Sequence, residues 1–206
     1  MKTAISSLFA AFLLSCSWAH AADSGEVSTA SPPIPSAGPA ERRLALGFNV
    51  DFLPVVMSAA SKEFGMAGQV WVGIDHLRLR MVGARTFMPK FMLSEGFEKQ
   101  DTTVLAFLVD YCFGDHFDSW WIGTGFELWF NEISHEGTRD TAAWTSGVWT
   151  LGGGYIWRFW RNVFLDPWIA MHVPLNNKEV TIGEWSYTPW PVSAEISLKI
   201  GVFFDL

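Results

Sequence analysis

The segment Val192–Leu206 (VSAEISLKIGVFFDL) constrains this chain more than any other stretch. One alternate set, Ala194, Ile196, Leu198, Ile200, Val202, Phe204 and Leu206, is apolar throughout. The interleaved set, Ser193, Glu195, Ser197, Lys199, Gly201, Phe203 and Asp205, is mostly polar or charged. Alternation of period two puts the two sets on opposite faces of one β-strand. Strands of soluble proteins usually run about 5–6 residues. A strand crossing a bilayer needs about 9–11 tilted residues, and this one is long enough. The expectation is a barrel strand with one face against lipid.

Seven further alternating segments precede it: Leu44 to Val56, Met66 to Ile74, Leu77 to Phe87, Thr103 to Phe113, Trp120 to Asn131, Trp144 to Phe159 and Val163 to Leu175. The connections at Asp75-His76, Gly114 to Ser119 and Trp160 to Asn162 are short. Those at Ala59 to Gly65, Met88 to Thr102, Glu132 to Ala143 and Asn176 to Pro191 are mostly longer and more polar. Short periplasmic turns alternating with longer outer loops are the habit of outer-membrane barrels. The fold class expected is therefore all-β: an eight-stranded antiparallel transmembrane β-barrel with an up-and-down meander.

The N-terminus reads as an export signal. Lys2 supplies the positive region, Ile5 to Leu14 the apolar region, and Ala19-His20-Ala21 a small-x-small cleavage site, so residues 1–21 are expected to be removed after Ala21. Leu13-Leu14-Ser15-Cys16 offers the rival reading of a lipidated Cys16, against which the bulk of Leu14 counts. Cleavage after Ala21 would leave Cys112 as the sole cysteine and allow no intramolecular disulfide. Residues 22–40, rich in Pro, Ser and Ala, read as a linker, and residues 41–206 as the barrel domain.

A secreted calyx with a greasy interior would also alternate, so the charges must decide which face is inside. The minority face carries both signs: Asp51, Asp110, Glu127, Asp166 and Glu195 against Arg78, Arg80, Arg158 and Lys199, with His172 among them. A lone Arg or Lys facing lipid near mid-membrane costs about 2–4 kcal/mol. Gathered in a lumen, the same groups can pair. These ten residues are the expected lumen network, and the continuous apolar face belongs against lipid. On strand four, Val104, Ala106 and Leu108 share the inward register, so part of the lumen is expected to be apolar. Trp120, Trp121, Trp144, Trp157, Trp160, Trp185 and Trp190 lie near expected strand ends, where amphipathic rings suit membrane interfaces.

The export signal, eight alternating segments, the stretch GGGYIWRFWRNVFLDPWIAMHVPL and the strand-like C-terminus resemble the small outer-membrane β-barrel superfamily of opacity, OmpA, OmpX and OmpW types. The resemblance implies residence in a Gram-negative outer membrane, contact with its lipids and insertion by the barrel-assembly machinery. Such chains commonly finish in Phe; this one finishes Phe204-Asp205-Leu206.

Function is less legible. A net charge of −7 lacks the clustered cations of a nucleic-acid footprint. The histidines show no metal-ligand spacing, Gly152-Gly153-Gly154 lacks the sequel of a phosphate loop, and no cofactor is expected. Ser134, His135 and Glu136 are neighbours on an expected outer loop, and His172 has no evident nucleophile, so no catalytic residues are assigned. The leading expectation is a structural or surface-interaction barrel with a side-chain-filled polar lumen and an external ligand at its loops. A narrow channel or carrier of small hydrophobic solutes is the alternative, and a lipid A-modifying enzyme the third reading.

Overall fold

The computed structural model describes residues 43–206 apart from 115 and 139. The expected signal peptide, Cys16 and the whole of the linker therefore lie outside the described residues.

The wall is a ring of antiparallel neighbours. Its strands are β1 (Leu44–Asp51), β2 (Met66–Ile74), β3 (Leu77–Pro89), β4 (Phe97–Cys112), β5 (Trp120–His135), β6 (Thr141–Tyr155) with its continuation β7 (Trp157–Trp160), β8 (Val163–Pro174) and β11 (Ser193–Asp205). The ring closes where β11 meets β1, from Ala45↔Asp205 to Asp51↔Lys199. Counting β6 and β7 as one interrupted strand, this is an eight-stranded up-and-down barrel. Along Ala45–Asp51 closure satisfies the backbone groups that a sheet edge would expose, as a bilayer demands.

The faces divide as the period predicts. Leu79, Met81, Phe107, Val109, Ile122, Phe126, Ile169, Ile196 and Leu198 point outward and are exposed. Arg78, Arg80, Asp110, Glu127, Asp166, His172 and Lys199 point inward and are buried. Such an exterior is stable only where the surrounding medium is itself apolar.

Four features depart from the sequence reading. The first strand does not run on to Val56. It stops at Asp51, whose Oδ1 accepts the Leu53 N–H at 3.0 Å, and helix α1 (Leu53–Ala60) follows. Pro54 sits in the first turn of α1, where its missing N–H costs nothing. Second, strands β4 and β5 extend well past their expected ends, so much of the expected loops Met88–Thr102 and Glu132–Ala143 is wall. Third, the last loop holds a small hairpin, β9 (Val180–Ile182) with β10 (Trp185–Tyr187). Ile182 and Tyr187 pack there on Phe97 and Ile133, an apolar cap beside the strand ends. Fourth, Trp121 is buried and Trp144 packs inward against Tyr187, so neither belongs to an interfacial girdle. Trp120, Trp157 and Trp160 are exposed at the short-turn end, as an interface would place them.

Candidate functional site

The lumen is built in layers, beginning at the short-turn end. Trp71 of β2 reaches inward and is met by Phe117, Phe164 and Phe203, with ring centroids 5.6, 6.4 and 5.4 Å away. Phe117 comes from the β4–β5 connection, which folds back into the barrel mouth and so is more than a turn. Ala45, Cys112 and Ile156 belong to the same buried cluster. Two glycines make the room. A Cβ at Gly47 would strike the Trp71 ring, and one at Gly73 the ring of Phe117. The result is a dry aromatic plug at this end.

An ionic layer rests on the plug. Asp110 is gripped from two sides, by Arg78 Nε at 2.6 Å and Arg80 Nη2 at 2.8 Å. Arg78 Nη1 also donates to Asp166 at 3.4 Å, and Trp121 Nε1 donates to the other oxygen of Asp166 at 2.9 Å. Both guanidinium groups lie over the Trp121 ring, 4.7 and 4.8 Å from its centroid. Charges taken from water are tolerable only when paired and hydrogen-bonded like this. The aromatic faces add cation–π attraction.

Beside this layer stands a relay of hydrogen bonds. Thr150 Oγ1 donates to Glu127 Oε1 at 2.6 Å and lies 2.9 Å from His172 Nδ1. His172 Nε2 lies 3.0 Å from Glu195 Oε2, and Trp129 Nε1 donates to Glu127 Oε2 at 2.6 Å. The order Thr150–His172–Glu195 copies the connectivity of a nucleophile, base and acid. Its directionality does not. The Thr150 hydroxyl donates to Glu127 Oε1, so its proton is not directed at the imidazole. Thr150 is also buried, and it is not among the residues that line the loop-end cavity. The relay as built locks four strands together.

Above these layers the lumen widens into a cavity of about 400 Å³. Asn49, Gln69, Arg80, Trp168 and Lys199 form its polar floor, and Val82, Ala84, Val104, Ala106 and Leu108 an apolar wall. The apolar inward register expected on β4 is thus present. Near the loop end the cavity meets Met88, Met92, Trp144, Tyr187 and Trp190. Gln100, Thr102 and Asn131 form a small amide–hydroxyl cluster there, to which Tyr187 donates at 3.0 Å.

Of the ten expected network residues, Arg78, Arg80, Asp110 and Asp166 meet in the ionic layer. Glu127, His172 and Glu195 meet in the relay. Asp51 holds the start of α1 and the Ser197 hydroxyl. Lys199 lies 3.4 Å from the Trp168 ring centroid. Arg158 is the correction: it sits at the short-turn rim, pairs with Asp205 at 2.9 Å and stays apart from the others. The expected lumen was also too polar. Trp71, Trp121, Trp129 and Trp168 all point inward, on the same alternate positions as the charges. Their register was the signal that could have found them. Among the described residues no group of three or more His, Cys, Asp and Glu side chains could hold a metal ion.

No protein-family profile and no curated protein matches this sequence. Solved structures do. A major outer membrane protein from Thermus thermophilus is similar over 79% of this chain and 99% of its own, at 11% identity and a TM-score of 0.50. Neisserial surface protein A (NspA) is 16% identical, over 79% of this chain and 96% of its own, with a TM-score of 0.47. The N-terminal β-barrel domain of Pseudomonas aeruginosa OprF is 10% identical over the same shares, with a TM-score of 0.45. What the chain shares with the Thermus protein is the fold, that of a small outer-membrane β-barrel.

Proposed function

We propose that this chain resides in a bacterial outer membrane as a non-conducting barrel, its short-turn end sealed and its loop end a cup for a ligand. The observation that carries the reading is the Trp71–Phe117–Phe164–Phe203 plug backed by the Arg78–Asp110–Arg80 layer. An eight-stranded barrel is just wide enough for side chains to fill, and here two successive layers fill it. The channel reading loses ground because an ion would have to displace packed rings and break a buried ion pair. The enzyme reading loses ground because Thr150 is buried and its hydroxyl donates to Glu127 and not to a base. The exposed apolar belt supports a wall solvated by outer-membrane lipids and inserted by the barrel-assembly machinery.

The test is conductance in planar bilayers with the refolded barrel at high salt. The expected result is no unitary steps above the lipid baseline. Steady ion steps from the unmodified protein would overturn the sealed-cup reading.

A further inference from the structure

Two features of the cup remain unexplained by a merely filled lumen. The first lies on its floor. Asn49 Nδ2, Gln69 Nε2, Trp168 Nε1 and Lys199 Nζ make no hydrogen bond among the described residues, although each side chain is more than nine-tenths buried and lines the cavity. Buried donors without partners are costly, so a group of them at one place calls for an acceptor. The carboxylates that also line the cavity do not answer the need. Asp51 is held by Leu53 N–H and Ser197, Glu127 by Trp129 and Thr150, and Glu195 by His172. Arg80 is committed to Asp110 and to Gln69 Oε1. What is left free is the Gln69, Trp168 and Lys199 donors and both ends of the Asn49 amide, beneath an apolar wall.

The second feature is a slot in the side of the barrel. Strand β1 ends at Asp51, opposite Lys199, and one further bond runs from Phe52 N–H to the Leu198 carbonyl at 3.1 Å. Strand β11 continues back to Ser193, paired only with β8 on its other side. Helix α1 takes the place of the missing strand but leans on β3, where Ser58 Oγ accepts the Phe87 N–H at 3.0 Å and Ser61 Oγ donates to the Phe87 carbonyl at 3.2 Å. The β3 edge is thereby closed and the β11 edge from Ser193 to Ser197 is left without a strand partner. Leu53, Pro54 and Met57 of α1 line the cavity together with Ala194 and Ile196 of β11. Ile196 points outward and is 72% exposed, so the cavity reaches the outer surface of the wall. Ala194, Ile196 and Leu198 continue the apolar exterior, so the slot opens at the level of hydrocarbon.

We infer that the cup takes up a long-chain fatty acid from the bilayer through the slot between α1 and β11. Its carboxylate sits on Lys199, Asn49, Gln69 and Trp168, and its chain lies along Val104, Ala106 and Leu108. The inference rests on the sealed-cup reading and names its ligand. A carboxylate supplies acceptor oxygens for the free Asn49, Gln69 and Trp168 N–H groups and pairs with the Lys199 ammonium. A single alkyl chain suits a cavity of about 400 Å³ walled by aliphatic side chains. Small-molecule sites commonly span roughly 300–1,000 Å³, apolar with a few convergent polar groups.

The experiment uses the full barrel in nanodiscs, with empty nanodiscs as the background, and cis-parinaric acid as the probe. Trp129, Trp144 and Trp168 line the cavity, so a bound polyene quenches tryptophan emission by energy transfer. Saturable quenching is expected. Palmitate should displace the probe at least about tenfold better than methyl palmitate, a difference of one ion pair or charged hydrogen bond. Lys199→Met should weaken binding by about the same factor while keeping the heat-modifiable gel mobility of a folded barrel. Ala194→Trp, which fills the slot, should slow loading from fatty-acid-doped vesicles. No saturable quenching, equal displacement by the ester, stronger displacement by dodecyl phosphate, or full binding by folded Lys199→Met would each overturn the carboxylate site. Unchanged loading by Ala194→Trp would overturn the slot. An insulating barrel that fails these tests loses only the fatty-acid inference, whereas a conducting one loses the sealed cup itself.

Discussion

Arg78 Nε lies 2.6 Å from Asp110 Oδ2, and neither side chain is reached by solvent. A buried pair of this kind contributes little net stability over an apolar pair of the same shape, but removing one partner strands the other. Arg78→Leu is therefore expected to cost about 3–5 kcal/mol, seen as a lower midpoint for loss of the heat-modifiable form. Arg78→Leu combined with Asp110→Leu should be no more stable than Arg78→Leu alone, because Asp110 also holds Arg80, which would then be buried without its carboxylate. A double variant that recovers most of the loss would show that Arg80 does not depend on Asp110.

Two seals in series make a second prediction. Trp71→Ala opens the aromatic plug but leaves the ionic layer, and Arg78→Ala does the reverse. Neither single variant should conduct in planar bilayers. The double variant should, because a continuous water path then replaces both layers. Truncating Trp71 should also cost about 3–5 kcal/mol, as for other large buried aromatics. Conductance from Trp71→Ala alone would mean that the Arg78–Asp110 layer is no barrier.

The wall was legible in the sequence because its physical cause is local. Each strand has lipid on one side and the lumen on the other, so period-two alternation is written along every one of them. The β2 and β3 starts, the Asp75-His76 turn and the inward register of Arg78, Asp110 and Lys199 follow directly. The departures arise where one strand's neighbour decides. Leu44 to Val56 reads as a continuous apolar segment, yet past Asp51 the segment has no further register partner on β2 or β11 and turns into α1. The tryptophans misled for a different reason. An amphipathic ring is equally at home at an interface or stacked beneath a guanidinium, so residue type could not separate Trp120 from Trp121. Their register could: Trp120 points out and Trp121 in. The relay through Thr150 was missed because a threonine in a barrel strand carries no signal of its own.

Ser58 ties helix α1 to the barrel. It is fully buried, and its hydroxyl accepts the N–H of Phe87 at a point where β2 no longer supplies a partner. Ser58→Ala should cost about 1–3 kcal/mol, the penalty of leaving a buried donor unpaired. Amide exchange at Phe87 should accelerate, while that of Arg80 on the same strand stays slow. Equal exchange at Phe87 in the two proteins would mean that α1 does not hold the β3 edge.

The loop-end cap offers a pH test outside the membrane belt. Burial pushes the Tyr187 phenol above the ordinary tyrosine value, because its anion would be desolvated. The folded cap therefore holds its proton more tightly than the unfolded chain. Its stability is undiminished below the ordinary value of about 10 and falls as pH rises through the folded pKa. The chain has three tyrosines, so tyrosinate absorbance of the protein minus that of Tyr187→Phe isolates this one. Its ionisation should begin at a higher pH than that of free tyrosine. A titration matching free tyrosine would place the phenol in water and break the Tyr187–Gln100 bond.

Lys199 distinguishes a ligand site from a structural one in the ligand-free protein. Its ammonium is buried, has the Trp168 ring 3.4 Å from Nζ, and makes no hydrogen bond among the described residues. A buried cation without a hydrogen bond is costly, and a well-packed apolar side chain of similar length avoids that cost. Delipidated Lys199→Met should therefore unfold at the same temperature as the parent or a higher one. Palmitate should raise the midpoint of the parent, since a ligand that binds only the folded state stabilises it by mass action. It should leave the midpoint of Lys199→Met nearly unmoved. If the delipidated variant instead unfolds earlier, Lys199 is a strut of the wall, and the floor of the cup has no carboxylate to wait for.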